Sequence, residues 1–277
     1  MEYSPNKMNQ LLNNNSFNFK KKFGQNFIID ENIIDRIVDS ASIDKDTLVI
    51  EIGPGAGSLT YKLASYAKQV LCYEIDTTLE SILKDTLKEY NNVDIIFDDF
   101  LKRNVNDDLK KYDYKQVYVV ANLPYYITTP IITKIIEDEI PVSKVVIMVQ
   151  KEVGDRFKAN VGTKDYNSLT IYLNHYFDIK KVMTVSKNVF LPKPRIDSMV
   201  LEFNRKEIRK DLKNPNLFFK LVRDSFTQKR KTLRNNLKGY NLDKIEEVLN
   251  KYNMDLSARA EQISSDIFID IANSLEE

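Results

Sequence analysis

Short runs rich in valine and isoleucine recur along the chain, with helical stretches between them. The runs are Leu48–Ile52, Gln69–Glu74, Val93–Phe97, Val117–Ala121 and Lys144–Val149. Such apolar runs suit strands covered on both faces. Helical candidates lie between them, including Ser58–Tyr66, Thr77–Tyr90 and Pro130–Glu137. Strand, helix, strand, helix in this order predicts an α/β fold with a mainly parallel central sheet. Ahead of it, Asp30 reads as an N-cap for a helix with Ile33, Ile34, Ile37, Val38 and Ala41 at helical spacing. Val182–Val185 and Ser198–Phe203 read as edge strands, with an antiparallel direction open to them. After Asn204 the composition changes. Asn214–Leu237 reads as one long helix with Leu217, Phe218, Leu221, Val222 and Phe226 on a stripe, followed by helices at Glu246–Asn250 and Asp266–Leu275. The expected division is a flexible basic arm at 1–22, an α/β domain at 23–204 and a small all-α basic domain at 205–277.

Several function classes drop out early. With one cysteine, Cys72, and one histidine, His175, the chain has no disulfide framework and no structural zinc site. No nucleophile-elbow motif accompanies His175. No apolar run approaches the roughly 20 residues needed to cross a bilayer, and the polar, asparagine-rich start does not resemble a signal peptide. The expectation is a cytoplasmic protein without a bound metal. Net charge is only +1, but Arg205–Lys238 holds 12 basic residues against three acidic ones. That segment is an electrostatic footprint for a polyanion. Lys229, Arg230, Lys231, Arg234 and Lys238 are the candidate phosphate contacts, on three turns of the expected helix. Lys20, Lys21 and Lys22 are further candidates. The alternatives are a solvated helical face for the first group and a solvated tail for the second.

The chemistry-bearing motifs follow the expected strands. Glu51-Ile52-Gly53-Pro54-Gly55-Ala56-Gly57 joins the first strand to a helix. Its glycines let backbone approach a ligand, and the helix amides favour a polar or anionic group. Glu74 ends the next strand, 17 positions after Gly57, where a carboxylate can accept both ribose hydroxyls of an adenosine cofactor. Ser58 stands where a dinucleotide fingerprint needs glycine, so on the loop alone a plain turn and a nicotinamide site both stay open. Asp98-Asp99 follows the third strand. Asp99 is placed to accept an adenine amine, or else to cap the next turn. Asn122-Leu123-Pro124-Tyr125-Tyr126 follows the fourth. An exocyclic base amine is a weak nucleophile because its lone pair is delocalised into the ring. The Asn122 side-chain oxygen and the Pro124 carbonyl can accept its hydrogens and draw it toward tetrahedral geometry, while Tyr125 stacks on a base taken out of its helix.

Together these residues resemble the ribosomal RNA adenine N6-methyltransferase family, and within it the bacterial small-subunit (16S) dimethyltransferases. The resemblance runs from about Phe23 to the C-terminus. It is carried by FGQNF at 23–27, EIGPGAGSLT at 51–60, Glu74, Asp99, NLPYYITTP at 122–130, FLPKPRIDS at 190–198 and QKRKTLRNNL at 228–237. It implies a Rossmann-like class I S-adenosylmethionine-dependent methyltransferase, acting as a monomer on 16S rRNA in the small subunit or its precursor. The resemblance places Gln25, Asn26, the backbone of Ile28, Gly53, Gly55, Glu74, Asp99 and Asn122 around S-adenosylmethionine. It puts Phe190 against the target adenine opposite Tyr125. It also implies two methyl transfers to each of two adjacent adenines in a hairpin loop near the RNA 3′ end. Ile28 stands where leucine is usual, and Ala260 where proline is usual. The rivals are a large-subunit (23S) resistance methyltransferase, a non-catalytic assembly factor on the same fold and, more distantly, a nicotinamide oxidoreductase.

Overall fold

The computed structural model describes residues 10, 12, 17, 19, 20, 23–207 and 210–276. In chain order its elements are β1 Phe27–Ile28, α1 Glu31–Ala41, β2 Thr47–Ile52, α2 Ser58–Tyr66, β3 Gln69–Tyr73, α3 Glu80–Leu87, β4 Val93–Ile96, α4 Val105–Leu109, β5 Gln116–Asn122, α5 Thr128–Glu137 and β6 Val142–Gln150. There follow α6 Lys151–Phe157, α7 Ser168–Tyr176, β7 Phe177–Val185, β8 Phe190–Leu191, β9 Ser198–Arg205, α8 Pro215–Ser225, α9 Leu233–Asn236, α10 Leu242–Asn250 and α11 Ser265–Glu276.

The strands fall where the valine and isoleucine runs place them. They form a seven-stranded sheet of order β4-β3-β2-β5-β6-β9-β7. The first five are parallel neighbours, and β9 runs antiparallel to β6. All six residues of β2 are buried, as expected of a central strand covered on both sides. The connection after β2 leads toward the β4 edge, whereas that after β5 leads the opposite way. The gap beyond the carboxyl ends of β2 and β5 is therefore the topological switch point, where open α/β sheets bind ligands. Backbone bonds fix the level of these strand ends. Gly53 N–H donates to the Tyr73 carbonyl at 2.9 Å, and Glu74 N–H to the Ile96 carbonyl at 3.0 Å.

Local signals set the helices. Asp30 caps α1, accepting from the amides of Asn32 at 3.0 Å and Ile33 at 3.4 Å. Ile34, Ile37, Val38 and Ala41 bury its inner face. Thr77–Leu79 is a 3₁₀ turn that leads into the shorter α3, so the expected helix at 77–90 is divided.

The chain separates into two compact units. One comprises the described residues up to Gly154 together with Lys180–Arg205; the other comprises Asp155–Ile179 and the described residues from Lys206 onward. This differs from the division expected at 204/205. Tyr166 and Ile171 are buried in the same apolar cluster as Phe218, Leu221, Leu249 and Phe268. The Tyr166 hydroxyl donates to the Ile263 carbonyl at 3.1 Å. Burial thus assigns the segment to the helical unit across a long sequence gap that composition does not reveal.

The long helix expected at 214–237 is also corrected. α8 stops at Ser225, residues 226–231 turn, and α9 is a separate short helix. The Asn236 side-chain amide donates to the carbonyls of Ser225 at 2.6 Å and Gln228 at 3.2 Å. It satisfies acceptors that a helix end leaves open, so the chain can turn there. Phe268 is fully buried in this unit. Phe268→Ala should lower unfolding free energy by about 3–5 kcal/mol in urea denaturation.

Candidate active site

A cavity of about 260 Å³ lies at the switch point, lined from the ends of β2, β3, β4 and β5 and by the segment Phe23–Ile28. Gly53, Gly55, Glu74, Asp99, Asn122, Pro124, Tyr125, Gln25, Asn26 and Ile28 all line it. The structure therefore brings together every expected cofactor residue and three of the four expected catalytic ones.

The glycine loop is shaped by backbone angles that favour glycine. Gly53 and Gly55 have φ of 73° and 59°. A Cβ on Gly55 would stand 2.7 Å from the Phe27 ring, so Phe27 packs directly on the loop. Glu74 is 5% exposed. One of its oxygens accepts from Gly55 N–H at 3.2 Å and the other from Asp76 N–H at 2.8 Å. Burial pushes its pKa up to about 7, although these backbone donors pull the other way. Glu51, which also lines the cavity, is pushed up to about 8 by burial, with a smaller contribution from the Glu74 charge. Near neutral pH, Glu51 is thus mainly a protonated carboxyl and a potential donor.

At the end of β4, Asp99 does cap the following turn, accepting from Leu101 N–H at 3.0 Å. Only one of its oxygens is used in this way, and the other stands 3.9 Å from Lys102 Nζ. Asp98 accepts from Asp99 N–H at 2.7 Å.

At the end of β5, Asn122 Nδ2 donates to the Asn26 carbonyl at 2.8 Å. That bond orients the carboxamide, because a carbonyl can pair only with its NH₂ end, and Oδ1 is left to accept. The Pro124 carbonyl takes Ile127 N–H at 3.2 Å and keeps a second lone pair. Tyr125 is half-buried, with its hydroxyl 2.8 Å from Ser198 Oγ. Burial raises its pKa, which keeps the ring neutral.

Two expectations are not met. Phe190 does not line the cavity. It is 3% exposed and packs in the core with Ile28, Ile34 and Val185. Pairing of β8 with β1 sets Phe190 opposite Ile28 and turns the ring inward. Lys20 is not a free surface cation, since its ammonium contacts Asp76 at 2.6 Å. Lys21 and Lys22 lie outside the described residues. Within the expected arm, Leu12 is buried, and Phe17 and Phe19 pack beside it against the same apolar cluster.

Sequence reasoning also missed three groups here. Asp76 is 2% exposed, while Ile75 and Tyr126 line the cavity yet are 47% and 58% exposed. For Ile75 and Asp76 the available signal was their position directly after Glu74.

In the helical unit Lys229, Arg230, Lys231, Arg234 and Lys238 are all exposed. Lys229, Arg230 and Lys231 lie on the 226–231 turn and not on a helix. Lys229 is held by the carbonyls of Lys164 and Tyr166, and Arg234 stands 3.4 Å from Glu246. No helix among the described residues is long and apolar enough to cross a membrane.

The chain is similar to several known proteins. A Staphylococcus aureus protein named ribosomal RNA small subunit methyltransferase A is 48% identical over 240 residues, covering 86% of this chain and 81% of its own length. The crystal structure of a dimethyladenosine transferase from Plasmodium falciparum matches with a TM-score of 0.75 at 28% identity, covering 88% of this chain and 95% of its own. A 23S rRNA methyltransferase, ErmE, shares the fold at a TM-score of 0.73 and 24% identity, over 91% of this chain and 100% of its own. The family model for ribosomal RNA adenine dimethylase matches residues 16–277. With nearly the whole chain inside that match, the protein belongs to the ribosomal RNA adenine dimethylase family.

Proposed function

We propose that this protein dimethylates the N6 amines of two adjacent adenines in the 3′-terminal hairpin loop of 16S rRNA, as a cytoplasmic monomer acting during small-subunit assembly. The observation that carries this reading is Asn122. Its Nδ2 is anchored on Asn26, so its oxygen can accept from an amine at the mouth of an adenosine-type crevice. The small-subunit name of the Staphylococcus relative supports the choice of RNA. The test is methyl transfer to purified small and large subunits from cells lacking the protein, with modified nucleotides mapped. Dimethyladenosine at two adjacent positions of 16S rRNA is expected; methylation confined to 23S rRNA would contradict the choice.

The residues fit S-adenosylmethionine. Glu74 offers a buried carboxylate at the second strand end, and the glycine loop beside it has a Gly53 at which a Cβ would meet nothing nearer than Pro124 Cδ at 3.8 Å. Glu74 would hold the ribose hydroxyls and Asp99 the adenine amine, with Asn26 and the Ile28 backbone closing the other side. When bound, S-adenosylmethionine supplies a methyl group carried on a positively charged sulfur.

The protein's own residues then do two things. Asn122 Oδ1 and the Pro124 carbonyl accept the hydrogens of the target amine, which directs its lone pair away from the ring. Tyr125 stacks on the everted base and fixes its plane. Alignment of this kind needs no metal ligand and no covalent nucleophile in the protein. Phosphate contacts from the basic turn position the RNA and leave sequence discrimination to the site.

Three outcomes follow from these assignments. Asn122→Ala should reduce kcat by about 10²–10³-fold while leaving RNA affinity within about twofold in filter binding; equal losses in both would remove its role. Cofactor affinity should fall with pH below about 7. Ribose donors favour the Glu74 carboxylate, so binding must displace a proton from the carboxyl at lower pH. Calorimetry in two buffers of different ionisation enthalpy should detect the proton released, and Glu74→Gln should abolish it. Neutralising Arg230 and Lys231 should weaken RNA binding and make its salt slope shallower by about one per lost contact.

A further inference from the structure

Lys20 opens a run of three lysines, which invites a role at RNA phosphate. Its ammonium instead donates to Asp76 Oδ1 at 2.6 Å and Thr78 Oγ1 at 2.9 Å. The Asp76 side chain is 1% exposed. Its second oxygen accepts from Gln25 Nε2 at 2.8 Å. The Gln25 amide oxygen in turn accepts Lys20 N–H at 2.8 Å, closing a ring of bonds. Both ends of the Gln25 carboxamide are therefore engaged within the protein.

This ring touches the site at two points. Asp76 N–H donates to Glu74 Oε1 at 2.8 Å. Gln25 directly precedes Asn26, whose carbonyl holds the Asn122 side-chain amide at 2.8 Å. One buried carboxylate thus joins the segment that orients Asn122 to the turn that carries Glu74. Phe19 and Phe27 pack beside this segment with ring centroids 5.3 Å apart, and Phe27 rests on Gly55. Burial works to raise the Asp76 pKa, but bonds from Lys20, Thr78 and Gln25 together hold it below the usual carboxylate range. Removing the ammonium would leave a buried charge without its cation, which is costly. An RNA phosphate would have to compete with that carboxylate for Lys20.

We propose that Lys20 and Asp76 form a latch that holds the Gln25–Asn26 segment against the Glu74 turn, making Lys20 a positioning residue for the methyl donor and not an RNA contact. The inference rests on the reading of the cavity as the S-adenosylmethionine site.

The test measures S-adenosylhomocysteine binding by calorimetry on the full-length protein and on Lys20→Met, Lys20→Arg, Asp76→Asn and the Lys20→Met/Asp76→Asn double variant. Binding of an RNA hairpin with two adjacent loop adenines is followed across a salt series in parallel. Lys20→Met should weaken S-adenosylhomocysteine on the order of tenfold, and Lys20→Arg should restore most of the loss. The double variant should lose less than the two single losses combined, because neither partner is then left buried alone. The KM for the methyl donor should rise while the RNA salt slope stays at the wild-type value. Should Lys20→Met not fold, the double variant removes the charge together with its partner and carries the same expectation of weakened binding. Wild-type affinity in Lys20→Met, or a salt slope lowered by about one in that variant, would overturn the latch. If the wild-type protein itself fails to bind S-adenosylhomocysteine, the cavity reading falls, and the latch with it.

Discussion

The site depends on strands that end at one level. Gly53 bonds back to Tyr73 and Glu74 to Ile96, so the first residues beyond β2, β3 and β4 emerge side by side. β5 pairs with the other edge of β2 and delivers Asn122 across the switch point. β2 is buried along its whole length and is paired in parallel on both edges, Leu48–Ile52 with Gln69–Tyr73 and Thr47–Ile50 with Gln116–Val119, which fixes the register of the strand ends. The candidate site residues at four strand ends are thereby positioned around one central strand.

That arrangement brings acidic groups into a poorly solvated crevice. Glu51 and Glu74 are nearly fully buried, and desolvation pushes both above the usual carboxylate range. Their environments separate them. Glu74 receives two backbone N–H donors and sits near its midpoint at neutral pH, poised to ionise when further donors arrive. Glu51 has the Cys72 thiol 3.8 Å away and stays mainly protonated. Asp76 is buried as well, but a cation and an amide compensate it. Three neighbouring carboxyls therefore do different work because their hydrogen-bond partners differ.

Much of this was legible in the sequence. Each strand of the parallel sheet lies within two residues of its valine and isoleucine run, because strand content is written locally. The glycine loop, Glu74, Asp99 and Asn122-Leu123-Pro124-Tyr125 were legible for a related reason: each follows a strand directly, and topology then assembles them. What was not legible depends on distant partners. The basic run said nothing of Asp76, 56 positions beyond Lys20. The stripe on α8 gave no warning that Asn236 would take the Ser225 carbonyl and end the helix. Tyr166 joins a core whose other members are mostly beyond residue 217. Phe190, which the family resemblance set against the target base, is turned into the core by its pairing with Ile28.

In the proposed site the target amine is held by two oxygen acceptors, Asn122 Oδ1 and the Pro124 carbonyl, with Tyr125 against the ring. A crystal structure of the protein with S-adenosylhomocysteine and an adenine nucleotide tests it most directly. The exocyclic nitrogen should lie at hydrogen-bond distance, about 3 Å, from both oxygens, with the Asn122 amide still on Asn26. An adenine bound with its amine turned away from Asn122, or an Asn122 carboxamide rotated to present its NH₂ group to the base, would contradict it.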